Sequence, residues 1–326
     1  MPKKNKSKSK SAPATLPGIT KERGPHLSKN RAHKQGVMPR TTLLILFLSV
    51  AAWSFAKPAF AQTSRVADLT RTAEDPEVSM LDAGFRDLYR LDFQGGRSEF
   101  LTYQAAQPDD PLGKAAEAAS YLYEEFYVKG VFTSAFFLND SKLFGGVSGK
   151  SADSHNAVFL GTNQQAREMA RRRLESSPRN PHALLVLTLA DGMESDYDTI
   201  IEKKQLAGLG LMRQAEAEAA QLLAIDPLAQ DAYVALGASN YIIGCLPVYK
   251  RMFLRIGGIH GDRIRGMQEM QMAVENGHYL RPLAKILLAL ASEREHQMDR
   301  ARSLLTELTQ EFPENLLFAQ ELALAK

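Results

Sequence analysis

Residues 301–313 have the sequence ARSLLTELTQEFP, which opens with the small residue Ala301 and ends twelve positions later in Pro313. Leu305 and Leu308 follow Ala301 at offsets of four and seven, so all three lie on one face of a helix. Pro313 has no backbone N–H and ends such a helix. The stretch therefore predicts an amphipathic helix that packs closely through a small residue.

The same spacing of a small residue and a proline occurs four times along the chain. The pairs are Gly96 with Pro108, Ala166 with Pro178, Ala215 with Pro227, and Ala301 with Pro313. Ten residues after each proline the chain has another small side chain or a threonine: Ala118, Thr188, Gly237 and Ala323. A second helix that approaches closely at these positions explains the recurrence. The spacing predicts a tandem array of helical hairpins.

New helices are expected directly after two of the prolines. Asp110-Pro111 and Asn180-Pro181 place an Asx side chain before a proline. The Asx oxygen accepts from free backbone N–H groups, and proline suits the first helical position. Beyond Pro313, residues 315–326 suffice for one more helix, which we expect to cap the array.

These residues resemble the tetratricopeptide repeat (TPR), a helix-turn-helix unit of about 34 residues. Residues 77–110 and 282–315 match it. The longer intervals between the prolines place insertions near 128–160, 192–208 and 242–262. The resemblance implies an all-α fold: a right-handed α-solenoid of about five TPR-like helical hairpins with a C-terminal capping helix.

A narrower resemblance lies within the last insertion. Leu246-Pro247, then GGIHGDR at 257–263 and Gly266, are similar to a stretch of the eukaryotic TPR-type family that includes the fungal inclusion-body clearance protein of the mitochondrial outer membrane. Members of that family resemble adaptors rather than enzymes. The resemblance implies a role in binding.

The first 61 residues have the composition of a leader and an export signal. Residues 1–40 carry eleven Lys or Arg and one acid, a composition typical of disorder. Residues 43–56 are apolar apart from two serines, and Ala-Phe-Ala at 59–61 follows. This pattern predicts a signal peptide at 41–61, cleaved after Ala61, and a periplasmic or cell-envelope location. A linker at 62–76 and a repeat domain at 77–326 follow.

Two alternatives stay open for this leader. The apolar run at 43–56 is shorter than the ~20 residues that span a bilayer, which favours cleavage, but an uncleaved run would anchor the chain in the inner membrane. The basic stretch 1–40 is long for the start of a signal, and so translation begins at either Met1 or Met38.

Charge and cysteine content exclude other classes of protein. The chain has 40 basic and 37 acidic residues. Residues 62–326 contain 28 of the basic and 36 of the acidic ones, so this part has a formal charge of −8. This sign argues against nucleic-acid binding. Cys245 is the one cysteine, which excludes an internal disulfide. The histidines are scattered without metal-ligand spacing, and no acid–base pair or nucleophile motif occurs, so we expect no metal, no cofactor and no catalysis.

Aromatic residues are concentrated in the first insertion and the helix before it. Tyr121, Phe126 and Tyr127 are candidate binding residues, because aromatic rings bury a large area and tyrosine keeps a polar end. The alternative, which helical spacing favours, is that these rings fill the core.

Residues 241–256 combine apolar and basic side chains. Tyr249, Arg251 and Arg255 are candidates here, for contact with an anionic membrane surface or an acidic partner. Pro247 interrupts the segment, which is too short to span a bilayer. A lid packed across the array, with its cations in water, is an equal alternative.

Two functions follow from these patterns. The first is an exported scaffold that binds a protein or peptide partner in the concave groove of the array. The second is an envelope carrier of a hydrophobic small molecule or lipid held under the 241–256 segment. An open groove with a polar rim would favour the scaffold, and an enclosed apolar cavity that retains lipid on purification would favour the carrier.

Overall fold

The computed structural model describes residues 76–147 and 153–325. Within these ranges the chain forms fourteen α-helices, one π-helical turn and no β-strand. The helices are α1 (Pro76–Tyr89), α2 (Phe93–Ala106), α3 (Pro111–Val128), α4 (Ser134–Phe137), α5 (Asp140–Gly145), α6 (Asp153–Ser176), α7 (Pro181–Asp196), α8 (Gln205–Ile225), α9 (Ala232–Cys245), α10 (Val248–Ile256), α11 (Arg263–Asn276), α12 (Arg281–Arg294), α13 (Met298–Glu311) and α14 (Leu316–Leu324).

The long helices pack as five hairpins in sequential order. The pairs are α1 with α2, α3 with α6, α7 with α8, α9 with α11, and α12 with α13, and α14 packs against α13. The first helices of successive hairpins also contact one another, and we call α1, α3, α7, α9 and α12 the inner layer. The prediction of an all-α solenoid of TPR-like hairpins with a terminal capping helix is confirmed.

Local capping explains where several helices begin. The carboxylate of Asp110 accepts from the Leu112 N–H at 2.9 Å, and Pro111 occupies the first position of α3. Asn180 caps α7 through the Ala183 N–H at 2.9 Å. These side chains satisfy backbone donors that a helix start leaves without partners. The Asx-Pro pairs therefore start helices as the sequence predicts.

Small residues allow two backbones to touch where α9 crosses α11. A Cβ atom on Gly266 would lie 2.7 Å from the Gly237 carbonyl oxygen, and one on Gly237 would lie 2.7 Å from the Met270 backbone nitrogen. Any larger side chain at either position would push the two helices apart. The small residue predicted ten positions after Pro227 has this packing role.

The insertions interrupt the array at three places. The first holds the short helices α4 and α5, the second contains the π-helical turn Tyr197–Ile201, and the third holds α10. Each insertion lies between the two helices of one hairpin: between α3 and α6, between α7 and α8, and between α9 and α11.

The first hairpin of the array contacts turns near the C-terminal end of the array. The Tyr89 hydroxyl donates to the Tyr279 carbonyl oxygen at 2.9 Å, and the Asn315 side-chain amide donates to the Tyr89 carbonyl oxygen at 2.8 Å. The Phe85 ring stacks on Tyr279 with centroids 4.8 Å apart, and the Tyr89 ring packs against Phe312 at 5.7 Å. These contacts join distant parts of the sequence, and so the solenoid closes into a ring.

The first insertion makes a second connection across the ring. The Ser134 N–H donates to the Glu321 carboxylate of α14 at 3.0 Å. Arg294 of α12 donates to the Phe137 carbonyl oxygen at 2.9 Å and forms an ion pair with Asp140. The insertion therefore ties the inner layer to the end of the chain.

The predicted leader, signal peptide and linker lie outside the described residues, which begin at position 76. The apolar run at 43–56 is among them. None of the helices in the described ranges has the length and apolar character needed to cross a membrane.

Candidate functional site

The inner layer surrounds a cavity of about 220 Å³ inside the ring. All five inner-layer helices contribute to its wall, together with residues 131–143 of the first insertion. The lining side chains are mainly apolar and include Phe85, Ala119, Phe126, Leu189, Ile242 and Leu290. The concave face thus contains a largely apolar cavity that is partly open to solvent.

The size of the cavity limits what it can hold. An engineered apolar cavity of about 150 Å³ binds benzene, and the chamber of about 220 Å³ is larger. It therefore accommodates a ring system or a short alkyl chain, whereas a two-chain lipid would exceed it.

Aromatic side chains of the first insertion cover one side of the cavity. Phe132 contacts Tyr123 and Phe126 edge-on, with ring centroids 5.5 and 5.8 Å apart. Phe137 stacks against Tyr241 of α9 at 6.1 Å. These rings fill the core and line the cavity at the same time. The core alternative therefore applies to them, and a binding role stays a prediction.

Asp196 brings a carboxyl group into this apolar chamber. It is the last residue of α7, lines the cavity, and has no hydrogen-bond or ion-pair partner among the described residues. The side chain of Asp196 is exposed to water, although many protein atoms lie around it, and we take the carboxyl to be reached by solvent at the partly open cavity. Burial raises the pKa of Asp196 to about 7, and the negative end of the helix dipole acts in the same direction.

The backbone changes its geometry directly after Asp196. The α-helix passes into the π-helical turn Tyr197–Ile201. Such turns interrupt α-helices frequently at functional sites. Here Ser195 donates to the Gly208 carbonyl oxygen at 2.8 Å, and a Cβ atom on Gly208 would lie 2.9 Å from the Ser195 carbonyl oxygen. The close approach of α8 holds the end of α7, and with it Asp196, in place.

The second carboxylate of the cavity wall is already satisfied. Asp231 accepts from the backbone N–H groups of His278, Tyr279 and Leu280 at 2.7, 3.0 and 3.2 Å. Burial raises the pKa of Asp231, and these three donors oppose that effect. Asp231 therefore holds the turn between α11 and α12, while Asp196 is free to meet a ligand.

Buried charges elsewhere hold helices together. Arg167 of α6 pairs with Asp191 and with Glu194 of α7, both at 2.6 Å. Burial, and then the neighbouring Asp191 carboxylate, raise the pKa of Glu218 to about 8. This network lies between α6, α7 and α8 and does not line the cavity. No group of three His, Cys, Asp or Glu in the described ranges could hold a metal ion.

The three aromatic candidates on α3 point in different directions. Phe126 is 4% exposed and forms part of the cavity wall. The half-buried Tyr121 ring receives the Arg97 guanidinium at 4.7 Å from its centroid. Tyr127 is 43% exposed, does not line the cavity and packs against Phe93 with ring centroids 5.9 Å apart. The structure therefore does not bring these three residues into one site.

The candidates of the second trio lie on α10, away from the cavity. Tyr249 and Arg255 are exposed, and Arg251 is half-buried. Of the 241–256 segment only Tyr241 and Ile242 border the cavity. The helix α10 itself does not line the cavity and buries none of its residues, and a ligand held under the 241–256 segment stays a prediction.

No family model matches the chain, and no curated protein matches it. The chain is similar to the crystal structure of a thermophilic TPR protein from Thermus thermophilus, with 16% identity over 76% of this chain and 98% of that one, and a TM-score of 0.43. The resemblance to the eukaryotic family stays a prediction.

Proposed function

We propose that this chain binds a hydrophobic small molecule inside its ring, and that the ligand carries a cationic or hydrogen-bond-donating group. The observation that carries the proposal is an apolar cavity that contains the unpartnered carboxyl of Asp196. Ligand sites of this kind combine an apolar wall with a few polar groups that orient the ligand.

The apolar wall supplies affinity. A ligand in the chamber exchanges water for contacts with the side chains of α3, α7, α9 and α12. The cavity volume of about 220 Å³ favours a ligand larger than benzene, which binds a cavity of about 150 Å³.

Asp196 supplies selectivity. A carboxyl without partners in an apolar site favours a ligand that donates a hydrogen bond or brings a positive charge. No basic side chain lines the cavity within the described ranges, so a ligand carboxylate would find no counter-charge there. We therefore expect amines to bind better than alcohols, and alcohols better than acids.

The experiment compares three probes of equal chain length: n-octylamine, n-octanol and octanoate. Isothermal titration calorimetry on the full chain should show octylamine binding at least about tenfold more tightly than octanol, because a charge-assisted hydrogen bond is stronger than a neutral one. Asp196→Asn should remove most of that preference. Asp299→Asn, which changes a carboxylate that is 99% exposed, is the matched control.

Gly192→Leu tests whether the cavity is the site. Gly192 lines the cavity, and an added Cβ atom would meet nothing within 4 Å, so a leucine there would extend from an unobstructed Cβ at the cavity wall. All three probes should then lose affinity while the helicity stays unchanged. Unchanged binding in Gly192→Leu would show that the probes bind elsewhere.

A protein-binding scaffold is the second candidate. Helical-repeat arrays generally work by presenting surfaces to protein partners. On the outside of α3, Tyr127 and Val128 are 43% and 73% exposed, and both are open to such a partner. Affinity capture that fails with Tyr127→Ser but succeeds with Gly192→Leu would favour the scaffold.

A further inference from the structure

The helix α10 is unusual among the described helices because it buries none of its nine residues. It follows Pro247 and ends at Gly257 and Gly258, where φ of +76° at Gly258 lets the chain reverse. The half-buried Arg251 and Leu254 lie three residues apart and turn toward the protein. The opposite side of α10 is left without a partner.

That opposite side is an apolar stripe. Its five members are Val248 (72% exposed), Tyr249 (59%), Met252 (59%), Phe253 (68%) and Ile256 (82%). Offsets of three and four residues place them on one continuous face of α10. Large apolar side chains that cluster in water mark an interaction surface.

Two cations border this apolar stripe. At 100° per residue, Lys250 lies beyond one edge of the stripe and Arg255 beyond the other, and both are exposed. The stretch 241–261 contains these two cations and Arg251 but no acidic residue. By contrast, residues 62–326 as a whole carry 28 basic and 36 acidic residues. Positive charge is therefore concentrated around the stripe.

We propose that α10 is a membrane-surface helix, which lies on an anionic bilayer with its apolar stripe among the acyl chains and with Lys250 and Arg255 at the lipid headgroups. Amphipathic helices with cations beside an apolar face bind membranes in this manner. Nine residues are too few to cross the bilayer, so α10 lies in the plane of the surface. This inference is independent of any ligand in the cavity.

The charge pattern favours a lipid surface over a second copy of the chain. Two α10 helices packed stripe to stripe would bring Lys250 and Arg255 of both copies together, and like charges repel. An anionic bilayer extends beyond both edges of the stripe and meets both cations at once.

The test places an environment-sensitive fluorophore on Phe253→Cys in a Cys245→Ser background of the full chain. The signal then reports the surroundings of α10 and is not generated by the apolar run at 43–56. Leu228→Cys is the matched control, because Leu228 is equally apolar and 75% exposed but lies in a turn between α8 and α9. Vesicles contain either neutral phosphatidylcholine or the same lipid with phosphatidylglycerol.

The label at 253 should shift to the blue with anionic vesicles and much less with neutral ones, while the label at 228 should not change. Lys250→Glu with Arg255→Glu should weaken the response to anionic vesicles by more than about twentyfold, since each cation near the surface contributes about fivefold.

Three outcomes would overturn the proposal. The first is no shift at 253 with anionic vesicles. The second is an equal shift with neutral vesicles that charge reversal leaves unaltered. The third is a shift that grows with protein concentration in the absence of lipid, which would identify a second copy of the chain as the occupant. Far-UV circular dichroism of each variant separates these outcomes from unfolding, which we do not expect because α10 buries no side chain.

Discussion

Replacing Asp196 with asparagine should make the stability of the protein less dependent on pH. The pKa of this carboxyl rises from 3.8 to about 7 on burial, so the folded chain holds the proton more tightly than the unfolded chain. The free energy of unfolding therefore has its full contribution from Asp196 below pH ~4 and loses it as the pH rises to ~7. Asparagine has nearly the same shape and does not ionise.

The size of the effect follows from the two pKa values. The difference between 3.8 and about 7 corresponds to a ceiling of about 4 kcal/mol. Water that reaches the carboxyl through the cavity screens its charge, which reduces the expected effect to about 1–2 kcal/mol. Between pH 4.5 and pH 8, the free energy of unfolding of the native chain should therefore fall by about 1–2 kcal/mol more than that of Asp196→Asn.

Urea unfolding followed by far-UV circular dichroism measures this difference. Comparing the two pH values within each variant cancels the cost of burying the asparagine amide, which is the same at both. Asp299→Asn serves as the control, because its carboxylate is 99% exposed and the change should leave the pH dependence as it is. If native chain and Asp196→Asn lose stability in parallel, the Asp196 carboxyl is hydrated as in bulk water, and the reasoning about the cavity fails.

The remaining predictions concern the ring closure, α10 and the leader. Arg294→Ala should cost about 1–3 kcal/mol and speed amide hydrogen exchange around Phe137, because a buried carbonyl loses a charged donor; unchanged exchange would show that this contact does not hold the insertion. Alanine at Arg251 and Arg255 together should leave the far-UV helicity unchanged yet weaken capture of anionic vesicles, and loss of helicity would make these arginines structural. N-terminal sequencing of exported protein should begin at Gln62, and recovery of residues 1–61 would instead support the anchor.

The order of the hairpins could be predicted because its signals are local. The small-residue and proline spacing, together with Asp110 and Asn180 before prolines, acts within one or two turns of helix. Each signal places one helix start or one close crossing. The structure contains five hairpins and a terminal helix for this reason.

The ring closure could not be predicted from the same patterns. Tyr89 and Tyr279 are 190 residues apart, and Tyr89 and Asn315 are 226 apart. A single tyrosine or asparagine gives no periodic pattern that would identify its distant partner. The repeat pattern therefore predicts a concave face but not the apolar cavity that lies on it.

The sequence does not single out Asp196, because its context is that of a solvated helix end. The stretch 194–198, Glu-Ser-Asp-Tyr-Asp, holds three acids at the end of an apolar helix. Acids in such a place usually face water. The π-helical turn that follows Asp196 depends on packing against α8, which a single sequence does not reveal. The apolar stripe of α10 was predicted in composition, but its orientation away from the protein was not.

The ring closure also changes how this protein should fold. In an open repeat array each unit contacts only its neighbours, and so unfolding can begin at either end and spread along the chain. Here residues 312–321 complete contacts with Tyr89 and Ser134, and neither end of the array can fray without breaking them. The first hairpin of a nascent chain can consequently complete its contacts only after residues 312–321 have been synthesised. This late, long-range step should slow folding, and it should make the unfolding transition more cooperative.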